Sequence, residues 1–318
     1  MNDSTQALRS RIPAKAAGLP LLDYLLERFR YLDRSAWLRE LQAGRIELDG
    51  AIAKASSVLR AGSQLCWHKP QAEPFAATDF TILHQDAAIV VVDKPAHLAM
   101  HADGPFVHKT LVQLLRQRLG APDLQLVHRL DRETSGVCVV ARTPAARTAL
   151  QQQFAEGRVR KVYHAVVRGT VLAEFLVALP IGRSTASTIA LRRATGEHAI
   201  SPSAATTRFA PEAQGRGLTL LRCEPATGRT HQIRVHLEAH GTPILGDKLY
   251  GHPDARYLAF VADVKAHGDA RRVLPGEPDR QLLHASELTL RHPDTGADCT
   301  FRAPLPPLFS EWLARGAD

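Results

Sequence analysis

Hydrophobic residues recur at helical spacing near the start of the chain. Apolar positions over Leu21–Phe29 predict an amphipathic helix, and those over Trp37–Leu41 predict a second helix that ends at Gly44. A strand is predicted at Arg45–Leu48, followed by a turn at Asp49–Gly50. Two helices and a hairpin of this size predict a small αβ domain over residues 19–67.

Polar stretches predict how the rest of the chain is divided. Residues 1–18 are expected to be disordered or extended, because their first ten positions are polar. The segment HKPQAEPFAAT, residues 68–78, contains two prolines and little periodicity, which predicts a linker. Residues 79–318 then form the large domain. Within it, residues 252–278 are polar and dotted with prolines, and they are expected to form an irregular excursion.

Beyond the linker, short apolar runs alternate with amphipathic segments, as expected for a sheet flanked by helices. The predicted strands are Phe80–Leu83, Ala87–Val92, Leu124–Val127, Val137–Ala141, Arg160–Gly169, Leu179–Arg183, Ala204–Phe209 and Leu218–Pro225. The predicted helices are His108–Leu119, Pro144–Glu156 and Gln232–Ala239. A last strand and a turn are predicted within Arg280–Gly296.

Composition narrows the class of partner. Forty basic residues against 32 acidic ones give a net charge of +8, which favours a polyanionic partner such as nucleic acid. The four cysteines are far apart and form no Cys-x-x-Cys pair, so we expect reduced thiols rather than a metal site. The first residues lack the apolar core of a signal peptide, and no apolar run reaches the length of a membrane span. We therefore expect a cytoplasmic protein without a membrane partner.

Candidate chemistry is concentrated in the stretch LQLVHRLDRETSGVCVVAR, from Leu124 to Arg142. Two apolar runs flank a loop in which Asp131 lies among cationic side chains. Such surroundings keep a carboxylate ionised and oriented. The alternative is a surface loop whose charges pair with one another and contribute little. Spacing alone leaves both interpretations open.

A second candidate motif, ATGRTHQIRVHLEAHG, spans residues 226–241. His236 and His240 are four residues apart, as zinc ligands on a helix would be. Glu238 lies two residues after the first histidine, about 200° around the helix from it, and no third ligand is evident, so a metal site is disfavoured. On this helix Arg234 could pair with Glu238, one helical turn away.

The nine residues HRLDRETSG, 128–136, resemble the signature of pseudouridine synthases of the large-subunit ribosomal (RluA-like) type, and the resemblance extends over nearly all of residues 80–307. It implies that Asp131 is the catalytic residue and that Arg129 lies against the flipped target nucleotide. The pattern Lys-x-Tyr-x-Ala implies that Tyr163 stacks on the target base, since every base offers a π-face.

Two further resemblances assign roles to other residues. The segment GRTHQIR, 228–234, resembles the third synthase motif, which implies that Arg234 pairs with the catalytic aspartate. Residues 19–65 are similar to the small RNA-binding domain of the ribosomal-protein S-four type. Arginines on one face of that domain, among them Arg30, are expected to meet phosphates. The residues that we predict to bind RNA are Arg129, Arg132, Arg229, His231, Arg34, Arg39 and Arg45.

The resemblance implies a pseudouridine synthase fold of the α+β class, that is, a mixed, largely antiparallel sheet with flanking helices. It implies isomerisation of specific uridines in structured RNA, most readily 23S ribosomal RNA. We expect the protein to be a monomer. The reaction neither adds nor removes atoms and involves no redox change, so we expect no metal and no cofactor. Two alternatives stay open, a transfer-RNA pseudouridine synthase and a non-catalytic RNA-binding or ribosome-assembly factor on the same fold.

Overall fold

The computed structural model describes residues 5–29, 32–70, 73–103, 106–267, 271 and 276–316, and the chain divides into two compact units, Met1–Ala72 and Glu73–Asp318. The first unit contains a four-stranded sheet in the order β1-β4-β2-β3 and two helices. In chain order its elements are β1 (Thr5–Arg11), α1 (Leu21–Arg28), α2 (Arg34–Gln42), β2 (Ile46–Leu48), β3 (Ala51–Ile52) and β4 (Gln64–Pro70).

The predicted helices of the first unit are present because local signals and core packing agree. Helix α2 begins after Asp33, whose carboxylate accepts a hydrogen bond from the backbone N–H of Ala36 at 2.7 Å. Trp37 on α2 packs against Trp67 on β4 with ring centroids 4.8 Å apart, and both are buried. The two helices therefore cover one face of the small sheet.

The structure changes the prediction for residues 1–18. Strand β1 pairs with β4 along its whole length, from Thr5 opposite Pro70 to Arg11 opposite Gln64. Ile12 and Ala16 are buried in the core of the first unit. Residues 5–18 are thus an ordered part of that unit, because a polar edge strand needs only a neighbouring backbone to pair with. Residues 1–4 lie outside the described residues.

The predicted linker, residues 68–78, is also narrower than expected. Strand β4 takes in its first three residues, up to Pro70. At the other end, the carboxylate of Glu73 accepts hydrogen bonds from the backbone N–H groups of Val107, His108 and Lys109. Glu73 is therefore an integral part of the second unit.

The second unit is built on a ten-stranded sheet with the main order β10-β14-β15-β9-β16-β8-β6-β5, with β17 beside β16 and β7 beside β8. In chain order its elements are β5 (Thr81–Gln85), β6 (Ile89–Lys94), α3 (Leu111–Leu119), β7 (Gln125–Leu126), β8 (Ser135–Ala141), α4 (Pro144–Ala155), β9 (Arg160–Arg168), β10 (Phe175–Val177), β11 (Ile181–Ser184), β12 (Arg193–Ala194), β13 (Ala199–Ser203), β14 (Thr207–Gly215), β15 (Leu218–Pro225), α5 (Gln232–Ala239), α6 (Asp254–His267), β16 (Leu283–Arg291), β17 (Asp298–Arg302) and α7 (Pro307–Arg315).

The sheet is mixed and largely antiparallel, as predicted, with β16 and β8 as its parallel pair. Strands β6 and β8 lie near one end of it and read as continuous apolar runs because both of their faces are covered. Val90 and Val92 face one core cluster, whereas Ile89 and Val91 face another. This packing holds β8, and the loop that precedes it, in place.

Gly136 explains how the candidate loop enters β8. Its φ of +113° is open to glycine, and a Cβ at this position would lie 2.1 Å from the carbonyl oxygen of Ala285 on β16. The two strands pair here in parallel, Ala285 opposite Gly136. The glycine of the HRLDRETSG motif therefore permits a close backbone approach at the junction beneath the candidate site.

The prediction of an irregular excursion over residues 252–278 was wrong, because a helix, α6, fills Asp254–His267. The prolines that suggested a loop, including Pro253 and Pro278, lie outside the helix, and its own sequence contains none. Asp254 anchors the start of the helix by accepting a hydrogen bond from the Ser187 hydroxyl at 2.6 Å. In the described ranges no helix has both the length and the apolar character needed to cross a bilayer.

Candidate active site

The loop between β7 and β8 presents Asp131 to a cleft. Leu130, next to it, is buried in the core, and the backbone N–H of Thr134 donates to the backbone oxygen of Asp131 at 3.1 Å. The side chain of Asp131 is 22% exposed. The loop is thus anchored from inside while one carboxylate remains open to the cleft.

Arg234, on helix α5, lies between two carboxylates. Its Nη1 donates to Oδ2 of Asp131 at 2.8 Å, so the pair that the sequence motif suggested is present. Its Nε and Nη2 donate to Oδ2 and Oδ1 of Asp247 at 2.6 and 2.9 Å, a bidentate contact. Asp247 is fully buried, and its Oδ1 also accepts from the backbone N–H groups of Leu249 and Tyr250. Asp247 therefore fixes the orientation in which Arg234 meets Asp131.

Electrostatics keep Asp131 ionised. Burial by itself would raise the pKa of this carboxyl. The charges of His231 and Arg234, the hydrogen bond from Arg234 and the charge of Arg129 outweigh burial and lower the pKa to about 2. Burial and Arg234 lower the pKa of His231 to about 4, so its imidazole is neutral at pH 7. At neutral pH the carboxylate is therefore held mainly by Arg234, with Arg129 nearby.

His231 links the start of α5 to the same network. It is the residue before the helix and has a φ of +59°, and its Nδ1 lies 2.8 Å from the Tyr250 hydroxyl. Its Nε2 is 3.8 Å from Oδ1 of Asp131. The ring of Tyr250 also lies against the guanidinium of Arg234, at 4.9 Å from its centroid. His231 therefore occupies the N-cap position of α5.

Tyr163, from β9, lines the same cleft as Asp131. It is half-buried and packs against the core clusters on this side of the sheet. Burial and the negative charge of Asp131 raise the pKa of its phenol, so the ring is uncharged at neutral pH. Lys161, two residues earlier, also lines the cleft and donates to the Thr227 carbonyl oxygen at 3.0 Å. The cleft thus combines a carboxylate, an aromatic ring and cations.

Buried charges hold the Asp131 loop from below. The ammonium of Lys94, fully buried, donates to the backbone oxygens of Pro95, Leu98 and Arg132. Burial lowers the pKa of Lys94 to about 7. Next to it, Glu133 accepts from Nζ of Lys248 at 2.8 Å. These contacts fix the backbone on the C-terminal side of Asp131.

The RNA-binding candidates around the cleft divide into two groups. Arg129 and Arg229 are exposed and line the cleft, and His231 lines it from the start of α5. Arg132, by contrast, pairs with Glu133 at 2.9 Å and lies over the ring of Phe106. Its guanidinium therefore contributes to the loop support, in place of the open RNA contact that the sequence suggested.

The arginines predicted to bind RNA in the first unit also differ from one another. Arg34 and Arg39 are exposed on α2. Arg45 makes a bidentate contact with Glu40, at 2.8 and 2.7 Å, and is half-buried. Arg30 lies outside the described residues. Arg34 and Arg39 are thus better placed than Arg45 to meet a phosphate.

The histidine pair at residues 236 and 240 is used in packing. Both ring nitrogens of His236 are engaged, one with the Thr207 hydroxyl at 2.9 Å and the other with the Leu179 carbonyl oxygen at 3.0 Å. His240 stacks on Phe175 with ring centroids 3.7 Å apart. Neither ring nitrogen of His236 is open to a metal ion.

The sequence missed Asp247 as a site residue. It lies in the segment ILGDKLYG, which matches the family pattern but shows no periodicity or charge cluster that would assign a role. Its partner, Arg234, is 13 residues away on a helix, so the contact depends on how α5 packs on the sheet. A carboxylate with no exposed surface is the structural signal that identifies it.

Comparisons with known proteins identify the family. Residues 88–239 match the family model described as RNA pseudouridylate synthase. The ribosomal large subunit pseudouridine synthase D of Pseudomonas aeruginosa is 32% identical, over 98% of this chain and 96% of that protein. The enzyme of the same description from Xanthomonas campestris is 33% identical, over 93% of this chain and 88% of that protein.

A solved structure extends the likeness to the fold. Human RNA Pseudouridylate Synthase Domain Containing 1 superposes with a TM-score of 0.58 and 27% identity, over 73% of this chain and 86% of that one. The sequence likeness over nearly the whole chain confirms the family that the HRLDRETSG motif suggested, and the structural likeness over 73% of the chain agrees with it. The chain belongs to the RNA pseudouridine synthase family and is an isomerase that acts on RNA.

Proposed function

We propose that the protein converts specific uridines of large-subunit ribosomal RNA to pseudouridine, with Asp131 as the catalytic carboxylate. The observation that carries the proposal is the pair between Arg234 and Asp131 at the mouth of a cleft that Tyr163 also lines. A carboxylate with a pKa of about 2 is ionised throughout the physiological pH range. It is therefore ready to act at the sugar without first losing a proton.

The reaction breaks the bond between sugar C1′ and base N1, turns the base, and joins C1′ to C5, from which a proton then leaves. Asp131 is proposed to act as the nucleophile or base beside the sugar. Arg234 holds the carboxylate, and Asp247 holds Arg234. Tyr163 offers a flat, uncharged ring on which the base can stack after it has left its helix, a step that costs a few kcal/mol.

Ribosomal RNA is the proposed substrate because the relatives described as ribosomal large subunit pseudouridine synthases match over nearly the whole chain, including the first unit. The net charge of +8 suits a polyanion. We propose that the first unit is an RNA-binding domain of the S-four type, in which Arg34 and Arg39 meet phosphates. The expectations of a monomer and of a cytoplasmic location belong to the same proposal.

A direct experiment is to incubate the protein with unmodified transcripts of large-subunit ribosomal RNA and of transfer RNAs and to map pseudouridines. The proposal expects pseudouridine at defined sites of the ribosomal transcript. Modification confined to transfer RNA would favour the transfer-RNA alternative. Tight RNA binding without any pseudouridine would favour the non-catalytic alternative. Comparison of a deletion strain with its parent then identifies the positions modified in cells.

A further inference from the structure

A second anionic contact is suggested by a small sheet that the isomerisation mechanism does not use. Strands β12, β11 and β13 form a separate three-stranded sheet. In the antiparallel pair β11–β12, Arg183 lies directly opposite Arg193. Like charges directly opposite each other destabilise a sheet. This arrangement therefore calls for an anion that offsets the repulsion.

Among the described residues, the chain itself supplies no such anion. In the part of the chain that the structure describes, Arg183, Arg193 and the nearby Arg229 have no carboxylate within ion-pair distance. The Nη1 of Arg193 is buried and has no hydrogen-bond partner. A buried donor without an acceptor is costly. An oxygen-rich anionic ligand would meet both needs.

The neighbouring arginine in the sequence provides an internal comparison. Arg192 donates to carboxylates of Glu238 at 2.6 Å and Asp254 at 3.1 Å, and also to the backbone oxygen of Leu249 at 2.8 Å. Arg192 is thus fully used in holding α5 and α6. Arg193, one residue later, has no ion pair among the described residues and leaves its buried Nη1 without an acceptor, so the two side chains serve different purposes.

The three arginines without a carboxylate partner share one depression, where Nε of Arg229 donates to the Ala204 carbonyl oxygen at 3.0 Å. Arg183, Arg193 and Arg229 line it, together with Ser201, and its volume is about 210 Å³. A phosphate group fits easily, since one water molecule takes up about 30 Å³ of liquid. Arg229 and Thr230 line both this depression and the cleft that contains Asp131. Helix α5 begins just beyond, at Gln232, and its N-terminus adds partial positive charge.

We propose that this depression, the arginine depression, binds one backbone phosphate of the RNA strand next to the flipped uridine. Guanidinium groups match phosphate oxygens with paired hydrogen bonds, which suits the opposed side chains of Arg183 and Arg193. The bound phosphate neutralises the repulsion between them. The contact holds the strand beside the cleft, so it acts on affinity and register. The inference rests on the proposed function for its choice of ligand.

The test measures binding of a short oligouridylate across a salt series by the whole protein and its variants. For the double variant Arg183→Gln/Arg193→Gln we expect at least about tenfold weaker binding at moderate salt, the cost of removing a charged, hydrogen-bonded interaction. Because the double variant binds one phosphate fewer, the slope of log affinity against log salt should become shallower by about 0.7. The matched control is Arg302→Gln, an exposed arginine that pairs with Glu287 on β16.

Thermal unfolding without RNA gives a second readout. Removing opposed like charges should leave the melting temperature of the double variant equal to or above that of the wild type. A double variant with the affinity and salt slope of Arg302→Gln would overturn the proposal, and so would a lower melting temperature with an unchanged slope. Oligouridylate binding is measured whether or not isomerisation occurs. Wild-type protein that binds it but forms no pseudouridine in the ribosomal transcript would therefore count against the proposed function alone.

Discussion

The line of charges Asp131–Arg234–Asp247 gives the sharpest prediction for mutagenesis. Replacing Arg234 alone would leave Asp247 buried and unpaired, which costs about 3–5 kcal/mol and threatens folding. The double variant Arg234→Gln/Asp247→Asn removes the buried pair as a unit. The introduced asparagine would keep an oxygen for the backbone N–H groups of Leu249 and Tyr250. The double variant thus leaves Asp131 without its arginine in a protein that still folds.

The contribution of the Asp131 carboxylate to the free energy of unfolding follows from its pKa. A fall from 3.8 to about 2 corresponds to about 2.4 kcal/mol, at about 1.4 kcal/mol per pKa unit. In the wild type this stabilisation is present above pH 4 and is lost as the pH falls towards 2, because the unfolded state then binds more protons. In the double variant the charge and the hydrogen bond of Arg234 no longer oppose burial, so the pKa of Asp131 rises. The stability that this carboxylate contributes is then smaller, and it is lost at a higher pH than in the wild type.

Two measurements check this reasoning. Denaturant unfolding between about pH 2 and pH 5 should show that the stability contributed by Asp131 is smaller in the double variant than in the wild type and is lost at a higher pH. Under single-turnover conditions, the double variant should release tritium from RNA carrying 5-tritiated uridine about 10²–10³-fold more slowly than the wild type. Losses of this size are typical when an active site loses one preorganised hydrogen-bond donor. The reasoning is refuted if the double variant keeps the wild-type rate and the wild-type pH dependence of both rate and stability.

Three further predictions concern other parts of the chain. Tyr163→Phe should keep far more activity than Tyr163→Ala, which loses stacking worth about 1–3 kcal/mol, and equal single-turnover rates would exclude stacking. Deleting residues 1–72 should lower the slope of log affinity against log salt by about 0.7–0.9 for each phosphate that the shortened protein no longer binds, while the rate at saturating RNA stays the same. Equal slopes for the two proteins would show that the first unit does not bind this RNA. Gly136→Ala should destabilise the fold by about 3 kcal/mol or more in denaturant unfolding, because its Cβ meets the Ala285 oxygen, and an unchanged midpoint would contradict this packing.

The end point of the deletion comes from the structure. A cut at residue 75, inside the predicted linker, would remove Glu73, which accepts hydrogen bonds from the backbone of Val107, His108 and Lys109. Damage to the second unit would then weaken RNA binding, and this loss would be mistaken for a contribution of the first unit. Deletion of residues 1–72 avoids this, because the division between the two units falls after Ala72.

The sequence predicted the elements whose signals are local. The Asp33 cap of α2, the apolar faces of α1 and α2, and the buried runs of β6 and β8 follow from neighbouring residues. The sequence-based prediction was wrong for residues 254–267, because the flanking prolines suggested a loop where the structure has an Ala-rich helix. It also missed β1, since a polar strand is recognisable only beside its partner β4. Pairing between distant strands is set by the whole fold, and local patterns do not encode it.

The site was predictable to the extent that its residues lie in motifs. Asp131, Tyr163 and Arg234 stand in three separate segments with family-like patterns, and the structure brings them to one cleft. Asp247 was not predictable, because its role depends on burial against Arg234. The opposed pair Arg183 and Arg193 was hidden for the same reason, as strand register alone places them together.

The measurement that tests the central claim most directly is pseudouridine formation by Asp131→Asn. The introduced asparagine keeps an oxygen that can accept a hydrogen bond from Arg234, and Arg234 keeps its contact with Asp247. The free energy of unfolding of the variant should therefore fall by no more than about 2.4 kcal/mol. The control is Asp123→Asn, an exposed aspartate in the loop before β7. We predict that Asp131→Asn binds RNA as the wild type does but forms no pseudouridine, whereas Asp123→Asn is fully active. Pseudouridine formation by Asp131→Asn at the wild-type rate would contradict the account.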